Sequence, residues 1–231
     1  MKKALIIVAA IVLLFLVSCA QDDKVSKENF DLMYAHLSQM WAQSLEHADA
    51  ENAFYGDSRV AGADWYSAYP DKKVVNLGVG GDKVGDLIIR IGQVEALAKS
   101  GSLKRCFVAI GGNDCLSSKF DEKTFEKEYD ELLTRLGNLG ITVYVNTIAG
   151  LCEQSSTLKP SRIKSSNSNM AKANEIIKAL AQKHNMQVID VAAVMNNTNG
   201  TLKAEYCVED GVHFSAKGNS IWFEELLPFV D

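Results

Sequence analysis

Short apolar runs alternate with amphipathic stretches along most of the chain. Five of the runs are short and mostly apolar and predict buried strands, at residues 52–56, 73–77, 106–110, 141–148 and 186–191. Between them, apolar residues recur at the three- and four-residue spacing of amphipathic helices. This alternation predicts an α/β fold, in which a parallel sheet carries helices on both faces.

The pattern also indicates how individual elements are placed. The run at residues 106–110 is apolar throughout, which predicts a central strand. Asp82 is expected to cap the helix after the second strand, and residues 221–229 predict a closing helix. Residues 26–48 predict a helix whose apolar face indicates core packing rather than a cofactor site. That face consists of Phe30, Met33, Leu37, Met40, Trp41, Leu45 and Ala48.

The first nineteen residues have a different character. Two lysines precede an unbroken apolar run at residues 4–17, which is short for a membrane span and typical of a signal peptide. The sequence Leu16-Val17-Ser18-Cys19 resembles a bacterial lipobox, after which Cys19 would be lipidated and become the mature amino terminus. The alternatives are an ordinary secretory signal and a single anchor helix.

A lipobox implies an exported protein that is held to a membrane by its lipid. We expect the outer membrane, on either its periplasmic or its surface-exposed face. The expected organisation is a signal peptide at residues 1–19, a tether with the amphipathic helix at residues 20–50, and one α/β domain at residues 51–231.

Composition and charge exclude some classes of function but do not identify one. The 231 residues are 47% hydrophobic and 23% charged, as in ordinary globular proteins. The net charge is -5, and lysine and arginine are scattered, so nucleic acid is not an expected partner. The cysteines lack the close spacing of a zinc site, so no metal is expected. Cys106 is predicted to be a buried thiol, whereas Cys115, Cys152 and Cys207 are placed on loops where a disulfide is feasible.

Three polar clusters follow predicted strands directly. They are Gly56-Asp57-Ser58, Gly80-Gly81-Asp82 and Gly111-Gly112-Asn113. Ligands of open α/β sheets bind beyond the carboxyl ends of the strands, where the strand order reverses. The three clusters are therefore expected at one rim, where they form one site.

Near the end of the chain, Asp210 and His213 lie three residues apart and complete the set for nucleophilic acyl transfer. Ser58 is the candidate nucleophile, His213 its base, and Asp210 the carboxylate that orients the imidazole. Glu209 is a rival for that last role. The structural alternatives are a capping serine and a loop histidine with an unrelated acidic neighbour.

The other clusters supply candidates for an oxyanion hole. A glycine lets a backbone N–H approach a substrate closely, and an asparagine amide offers a fixed donor. We therefore expect the N–H groups of Ser58 and Gly81 and the amide of Asn113 to hold an oxyanion. Ordinary turn residues are the alternative. Asp57 and Asp114 are expected to bond backbone groups near the turns.

These clusters, in this order, resemble the SGNH hydrolases, also called the GDSL esterase/lipase family. The likeness covers residues 52–229, and its blocks carry Ser58, Gly81, Asn113 and the Asp210–His213 pair. It implies a three-layer α/β/α flavodoxin-like fold with a five-stranded parallel sheet, and ester hydrolysis without metal or cofactor. Two positions depart from the family pattern and are expected near the pocket. They are Arg59, after the serine, and Phe214, after the histidine.

The substrate is the least determined part of the prediction. No long apolar lid is evident in the sequence, which favours acetyl or other short-chain esters, including acetylated glycans, over long lipids. A lysophospholipase or an enzyme like platelet-activating-factor acetylhydrolase is the alternative within the enzyme class. A non-catalytic surface lipoprotein that binds carbohydrate is the alternative outside it.

Overall fold

A computed structural model describes residues 47–230 of the chain. The predicted signal segment, Cys19 and nearly all of the predicted helix at residues 26–48 lie outside the described residues. In the described part, no helix combines the length and the apolar character that crossing a bilayer requires.

The core of the protein is a single sheet of five strands, and every neighbouring pair is parallel. The strand order is β2-β1-β3-β4-β5, so β3 is central, as its apolar sequence predicts. The predicted five-stranded parallel sheet is thus confirmed, with strand ends that differ by a few residues at most. The strands are β1 (Asn52–Gly56), β2 (Val74–Gly78), β3 (Arg105–Ala109), β4 (Thr142–Asn146) and β5 (Gln187–Ile189).

Helices cover both faces of this sheet, which gives the expected three layers. Successive residues of a strand point to opposite faces, so Ala53 and Tyr55 join one buried cluster and Phe54 joins the other. Phe54 stacks on Trp65, with ring centroids 3.8 Å apart. The helices are α1 (Ser58–Ala61), α2 (Trp65–Ala68), α3 (Val84–Arg90), α4 (Gly92–Lys99), α5 (Gly112–Leu116), α6 (Glu122–Gly137), α7 (Pro160–Lys183), α8 (Val191–Met195) and α9 (Ala216–Leu226).

The residues of α3, α4, α6 and α7 pack with one cluster, and those of α2, α8 and α9 with the other. The closing helix predicted at residues 221–229 is α9, which begins earlier, at Ala216, and ends at Leu226. A 3-10 turn at Leu227–Phe229 follows it. The predicted helix after β2 is also two helices, α3 and α4.

The prediction that Asp82 caps α3 is wrong. The N-cap is Lys83, whose N–H donates to the carboxylate of Asp86 at 2.9 Å. Asp82 instead accepts from the Nε of Arg90 at 2.6 Å, and both side chains are buried. A buried guanidinium needs an anionic partner more than a helix end at the surface needs a cap, because an unpaired buried charge is costly.

The chain order reverses between β1 and β3, which makes this the switch point of the sheet. Gly56 ends β1 at that point, and a side chain there would meet the carbonyl oxygen of Ala109 at 2.1 Å. Gly78 ends β2, and a side chain there would meet the backbone N of Ala61 at 2.1 Å. Glycine therefore lets α1 sit directly on the carboxyl ends of the strands.

Candidate active site

Ser58 is the first residue of α1 and follows the switch-point strand directly. The N-cap is Asp57, whose carboxylate accepts from the N–H of Arg59 at 2.9 Å. This bond fixes the turn that carries Ser58, because the side chain of the cap replaces a backbone acceptor that a helix start lacks. Burial raises the pKa of Asp57, while the positive charge of Arg59 acts in the opposite direction.

His213 lies against Ser58 although 155 residues separate them in the sequence. Its Nε2 is 2.8 Å from the Oγ of Ser58. Its Nδ1 is 2.6 Å from the Oδ2 of Asp210. The structure therefore brings together the three residues that the sequence proposes as nucleophile, base and orienting carboxylate. A proton on Nδ1 leaves Nε2 free to accept from the serine hydroxyl.

Asp210 holds its own turn as well as the imidazole. Its second oxygen, Oδ1, accepts from the backbone N–H groups of Val212 and His213, at 2.7 and 2.9 Å. Burial alone would raise the pKa of Asp210, but the hydrogen bonds from the ring and backbone of His213 outweigh it and hold the pKa below its usual value. The rival carboxylate, Glu209, is exposed, and its carbonyl oxygen accepts from Ser156.

The two candidate oxyanion residues outside α1 lie on adjoining segments, Gly81 in the loop after β2 and Asn113 in the first turn of α5. Asn113 donates from Nδ2 to the carbonyl oxygen of Asp82 at 2.9 Å, which ties it to the loop that carries Gly81. Gly81 has a φ of +85°, a conformation that favours glycine over residues with a side chain. A side chain at the preceding Gly80 would come within 3.9 Å of the Cβ of Ser58, so this loop runs beside the nucleophile.

A second contact joins α5 to the start of α3, next to the Gly81 loop. The carboxylate of Asp114 accepts from the N–H of Val84 at 3.3 Å, and burial raises the pKa of Asp114 to about 6. Asp57 and Asp114 thus both bond backbone groups at turns, as the sequence suggests.

Arg59 is a component of the site whose contacts sequence reasoning missed. Its guanidinium donates to the carbonyl oxygens of Val212, Ala149 and Gly150, at 2.9, 2.7 and 3.0 Å. It also lies over the ring of Phe214, 4.7 Å from the centroid. The two departures from the family pattern are therefore in contact with each other.

Arg90 is a second missed component, and it lies beneath the site. It donates to the carbonyl oxygens of Gly56 and Leu77 at 2.8 Å each, in addition to pairing with Asp82. It thereby joins the carboxyl ends of β1 and β2 to the loop after Gly81. Its position on the apolar face of a predicted helix is the sequence signal that could have marked it.

Serines of the 152–157 loop support the histidine turn from outside. The hydroxyl of Ser155 donates to the carbonyl oxygen of Asp210, and the N–H and hydroxyl of Ser156 donate to that of Glu209. A side chain at Gly211, which has a φ of +74°, would meet the Cβ of Ser155 at 2.4 Å. Glycine is therefore required where the loop and the turn meet.

The cysteines are placed differently from the prediction in one respect. Cys115 lies in α5 and is buried, so it is not a loop residue. Cys152 and Cys207 do lie on connecting segments, and the thiol of Cys207 donates to the carbonyl oxygen of Ala204. Burial, then the neighbouring Cys152, raises the pKa of Cys207 to about 12. All four described cysteines are free thiols. Within residues 47–230, no group of three or more His, Cys, Asp or Glu is placed to hold a metal ion.

The sequence family follows from a direct comparison with family models. The model of the GDSL-like lipase/acylhydrolase family matches residues 37–221, which is most of the chain. The chain belongs to this family. Its members are acylhydrolases, so the protein is an ester hydrolase, as the sequence predicts. No curated protein matches the sequence.

Solved structures share the fold of this family member at low sequence identity. A Streptococcus pneumonia protein whose name refers to platelet activating factor is 18% identical, with a TM-score of 0.70 over 90% of this chain and 100% of its own. A GDSL-like lipase from Bacteroides thetaiotaomicron is 18% identical, with a TM-score of 0.67 over 85% and 96%. An acetyl xylan esterase from Geobacillus stearothermophilus is 20% identical, with a TM-score of 0.59 over 78% and 93%. These likenesses establish the fold.

Proposed function

We propose that the protein is a serine esterase that removes acetyl or other short acyl groups, including those carried by glycans. The observation that carries this proposal is the chain of contacts from Ser58 through His213 to Asp210, at 2.8 and 2.6 Å. A serine hydroxyl is a weak nucleophile until a base within hydrogen-bond reach accepts its proton. His213 meets this requirement at Ser58.

In the proposed reaction, the Oγ of Ser58 attacks the acyl carbonyl carbon and its proton passes to the Nε2 of His213. Asp210 accepts the hydrogen bond from Nδ1 and stabilises the imidazolium. The N–H groups of Ser58 and Gly81 and the amide of Asn113 stabilise the oxyanion. His213 then delivers its proton to the leaving alcohol. Water attacks the acyl-enzyme by the same route and releases the acid.

The size of the hollow beside Ser58 favours a small acyl group. Its volume is about 10 Å³, which is enough for a group about the size of one water molecule. Its apolar lining residues suit the methyl of an acetyl group, and its small volume disfavours a fatty chain. The lining consists of Asp57, Ser58, Arg59, Gly112, Asn113, Leu116, Leu151, Met170 and Val212. The likeness to an acetyl xylan esterase supports the same substrate class.

A lipid ester is the second candidate, because one structural neighbour is named for platelet activating factor. We also propose that Cys19 is lipidated, which would hold the esterase at the outer membrane with its substrate on the same surface. The non-catalytic carbohydrate-binding lipoprotein weighed from the sequence is not proposed, because the chain belongs to a family of acylhydrolases.

The test is hydrolysis of p-nitrophenyl acetate, butyrate and octanoate by the full chain in detergent, beside Ser58→Ala. The matched control is Ser220→Ala, an exposed serine on α9. We expect turnover to fall with acyl length and to vanish in Ser58→Ala alone. Acetylated xylan and an acetylated phospholipid then separate the two substrate classes. Stable glycan binding without turnover, unchanged by Ser58→Ala, would refute the esterase mechanism.

A further inference from the structure

Arg59 contacts the residues on both sides of His213. Its Nε donates to the carbonyl oxygen of Val212 at 2.9 Å, and its guanidinium carbon lies 4.7 Å from the ring centroid of Phe214. Arg59 follows Ser58 in the sequence, and its guanidinium therefore contacts the two residues that flank His213.

The other hydrogen bonds of His213 do not set its distance from Ser58. Its N–H and its ring bond to Asp210, and its carbonyl oxygen accepts from Val208 at 3.0 Å. All of these partners belong to the same turn, residues 208–214, so they shape the turn without fixing where it lies. Among the described residues, the hydrogen bonds between this turn and residues 57–61 are His213–Ser58 and Arg59–Val212.

The remaining two donors of Arg59 anchor it to a third segment. They bond the carbonyl oxygens of Ala149 and Gly150, in the loop that follows β4. Asparagine side chains hold this loop through its backbone. Asn174 donates to and accepts from Ile148, Asn167 does the same at Leu151, and Asn196 accepts from the N–H of Gly150. Arg59 is thus fixed against a loop that cannot easily shift.

We propose that Arg59, stacked on Phe214, is a positioning residue that sets the separation between the Oγ of Ser58 and the Nε2 of His213. This role rests on the serine-esterase function proposed above and goes beyond it. A guanidinium is suited to it because its rigid, planar fork can donate in three directions while its face lies on a ring. An ammonium group has neither the fixed fork nor the face.

The consequence is specific to the chemical step. A displacement of about 1 Å between reacting groups costs on the order of a hundredfold in rate. Arg59→Lys is therefore expected to lower kcat by about 10- to 100-fold and to leave KM within about twofold. Phe214→Leu, which removes the ring but keeps an apolar side chain, is expected to lower kcat by about 3- to 10-fold.

The experiment uses the full chain in detergent and compares wild type with Arg59→Lys, Phe214→Leu and the double variant. Kinetics on p-nitrophenyl acetate are paired with the rate constant for labelling by a fluorophosphonate, which reports attack by Ser58 without the deacylation step. Loss of folded protein lowers the amount labelled but leaves this rate constant unchanged. The matched control is Arg135→Lys, because Arg135 bonds Glu95 and the carbonyl oxygen of Ile88 away from the site.

Slower labelling in both single variants, with a double-variant loss smaller than the product of the two, supports the positioning role. An unchanged labelling rate in Phe214→Leu and in folded Arg59→Lys overturns it, as does a raised KM with kcat unchanged. If Arg59→Lys does not fold, the labelling rate of Phe214→Leu decides. A wild type that neither hydrolyses esters nor is labelled at Ser58 overturns the esterase function as well, whereas an active wild type with unaltered variants overturns only the role of Arg59.

Discussion

The side-chain amide of Asn113 donates to the main-chain carbonyl oxygen of Asp82 at 2.9 Å. This bond uses one of the two N–H groups of the amide and sets the direction of the other. It also joins the first turn of α5 to the loop after β2, which carries Gly81. The two candidate oxyanion donors outside α1 are therefore held in a fixed relationship to each other.

Removal of this amide should slow the chemistry. We expect Asn113→Ala to lower kcat by about 10²- to 10³-fold with little change in KM, because an oxyanion donor acts in the transition state. Steady-state kinetics on p-nitrophenyl acetate check this, with the exposed Asn138→Ala as control. A loss below about threefold would remove Asn113 from the oxyanion hole.

The carboxylate of Asp210 should matter far more than its acidic neighbour. In Asp210→Asn the amide favours the wrong tautomer of His213, so we expect kcat to fall by about 10³- to 10⁴-fold. Glu209→Gln, at the adjacent exposed position, should stay within about twofold of wild type. Comparable losses in the two variants would contradict the assignment of Asp210.

Asp114 gives the stability of the fold a pH dependence of known sign. Burial raises the pKa of its carboxyl from 3.8 to about 6, so the folded state binds this proton more tightly than the unfolded state does. The contribution of Asp114 is fully present below about pH 4 and is lost as the pH rises through 6. Above that pH, Asp114→Asn should raise the free energy of unfolding by about 1–3 kcal/mol relative to wild type.

Urea denaturation of wild type and Asp114→Asn at pH 5 and pH 8 measures this difference. The exposed Asp71→Asn serves as control, since it removes a charge without a buried partner. A stability gain that is the same at both pH values would show that Asp114 is not the group responsible.

The buried pair of Arg90 and Asp82 should be essential to the fold. The two side chains are 4% and 9% exposed, so Arg90→Met leaves a buried carboxylate without its cation. We expect the free energy of unfolding to fall by about 3–5 kcal/mol. Addition of Asp82→Asn should recover part of that loss, because it removes the unpaired charge. Equal stability of the single and double variants, by urea denaturation, would contradict this account.

Membrane attachment is testable without the structure. If Cys19 is lipidated, the wild-type protein should partition into the detergent phase of Triton X-114, and Cys19→Ser should lose the lipid. Mass spectrometry of the amino-terminal peptide identifies the modification. A wild-type peptide that carries an unmodified cysteine or begins elsewhere would rule out the lipoprotein interpretation.

Local sequence patterns were enough to predict the strands and most helices, because buried parallel strands and amphipathic helices leave periodic signals. The clusters that contain Ser58, Gly81 and Asn113 could be assigned to the rim of the sheet for a similar reason, because each cluster follows a strand in the sequence. No pattern in the sequence indicates the contacts of Arg59, and only its place on an apolar helix face marks Arg90, since most of their partners are main-chain carbonyl oxygens distant along the chain. Carbonyl acceptors are present in every residue and carry no side-chain signature.

The error at Asp82 has the same origin. Its position before a helix is typical of a cap, and that interpretation is correct when the residue has no stronger partner. Arg90 lies two turns further along and inside the core, where only the folded chain reveals it. The sequence also could not show that Arg59 and Phe214 touch, because 155 positions separate them.

The support of the site is uneven. Ser58 and the loop with Gly81 rest on the core through Arg90, whereas the histidine turn is held by Arg59 and by hydrogen bonds from the 152–157 loop, of which that of the Ser156 hydroxyl is exposed. Segments with exposed hydrogen bonds open first, so amide hydrogen exchange should be faster in the turn than in β1. Each such opening would move His213 away from Ser58, and the serine hydroxyl would then lack a group to accept its proton. The enzyme without substrate would thus alternate between a form in which Ser58 can react and a form in which it cannot, while the sheet stays folded.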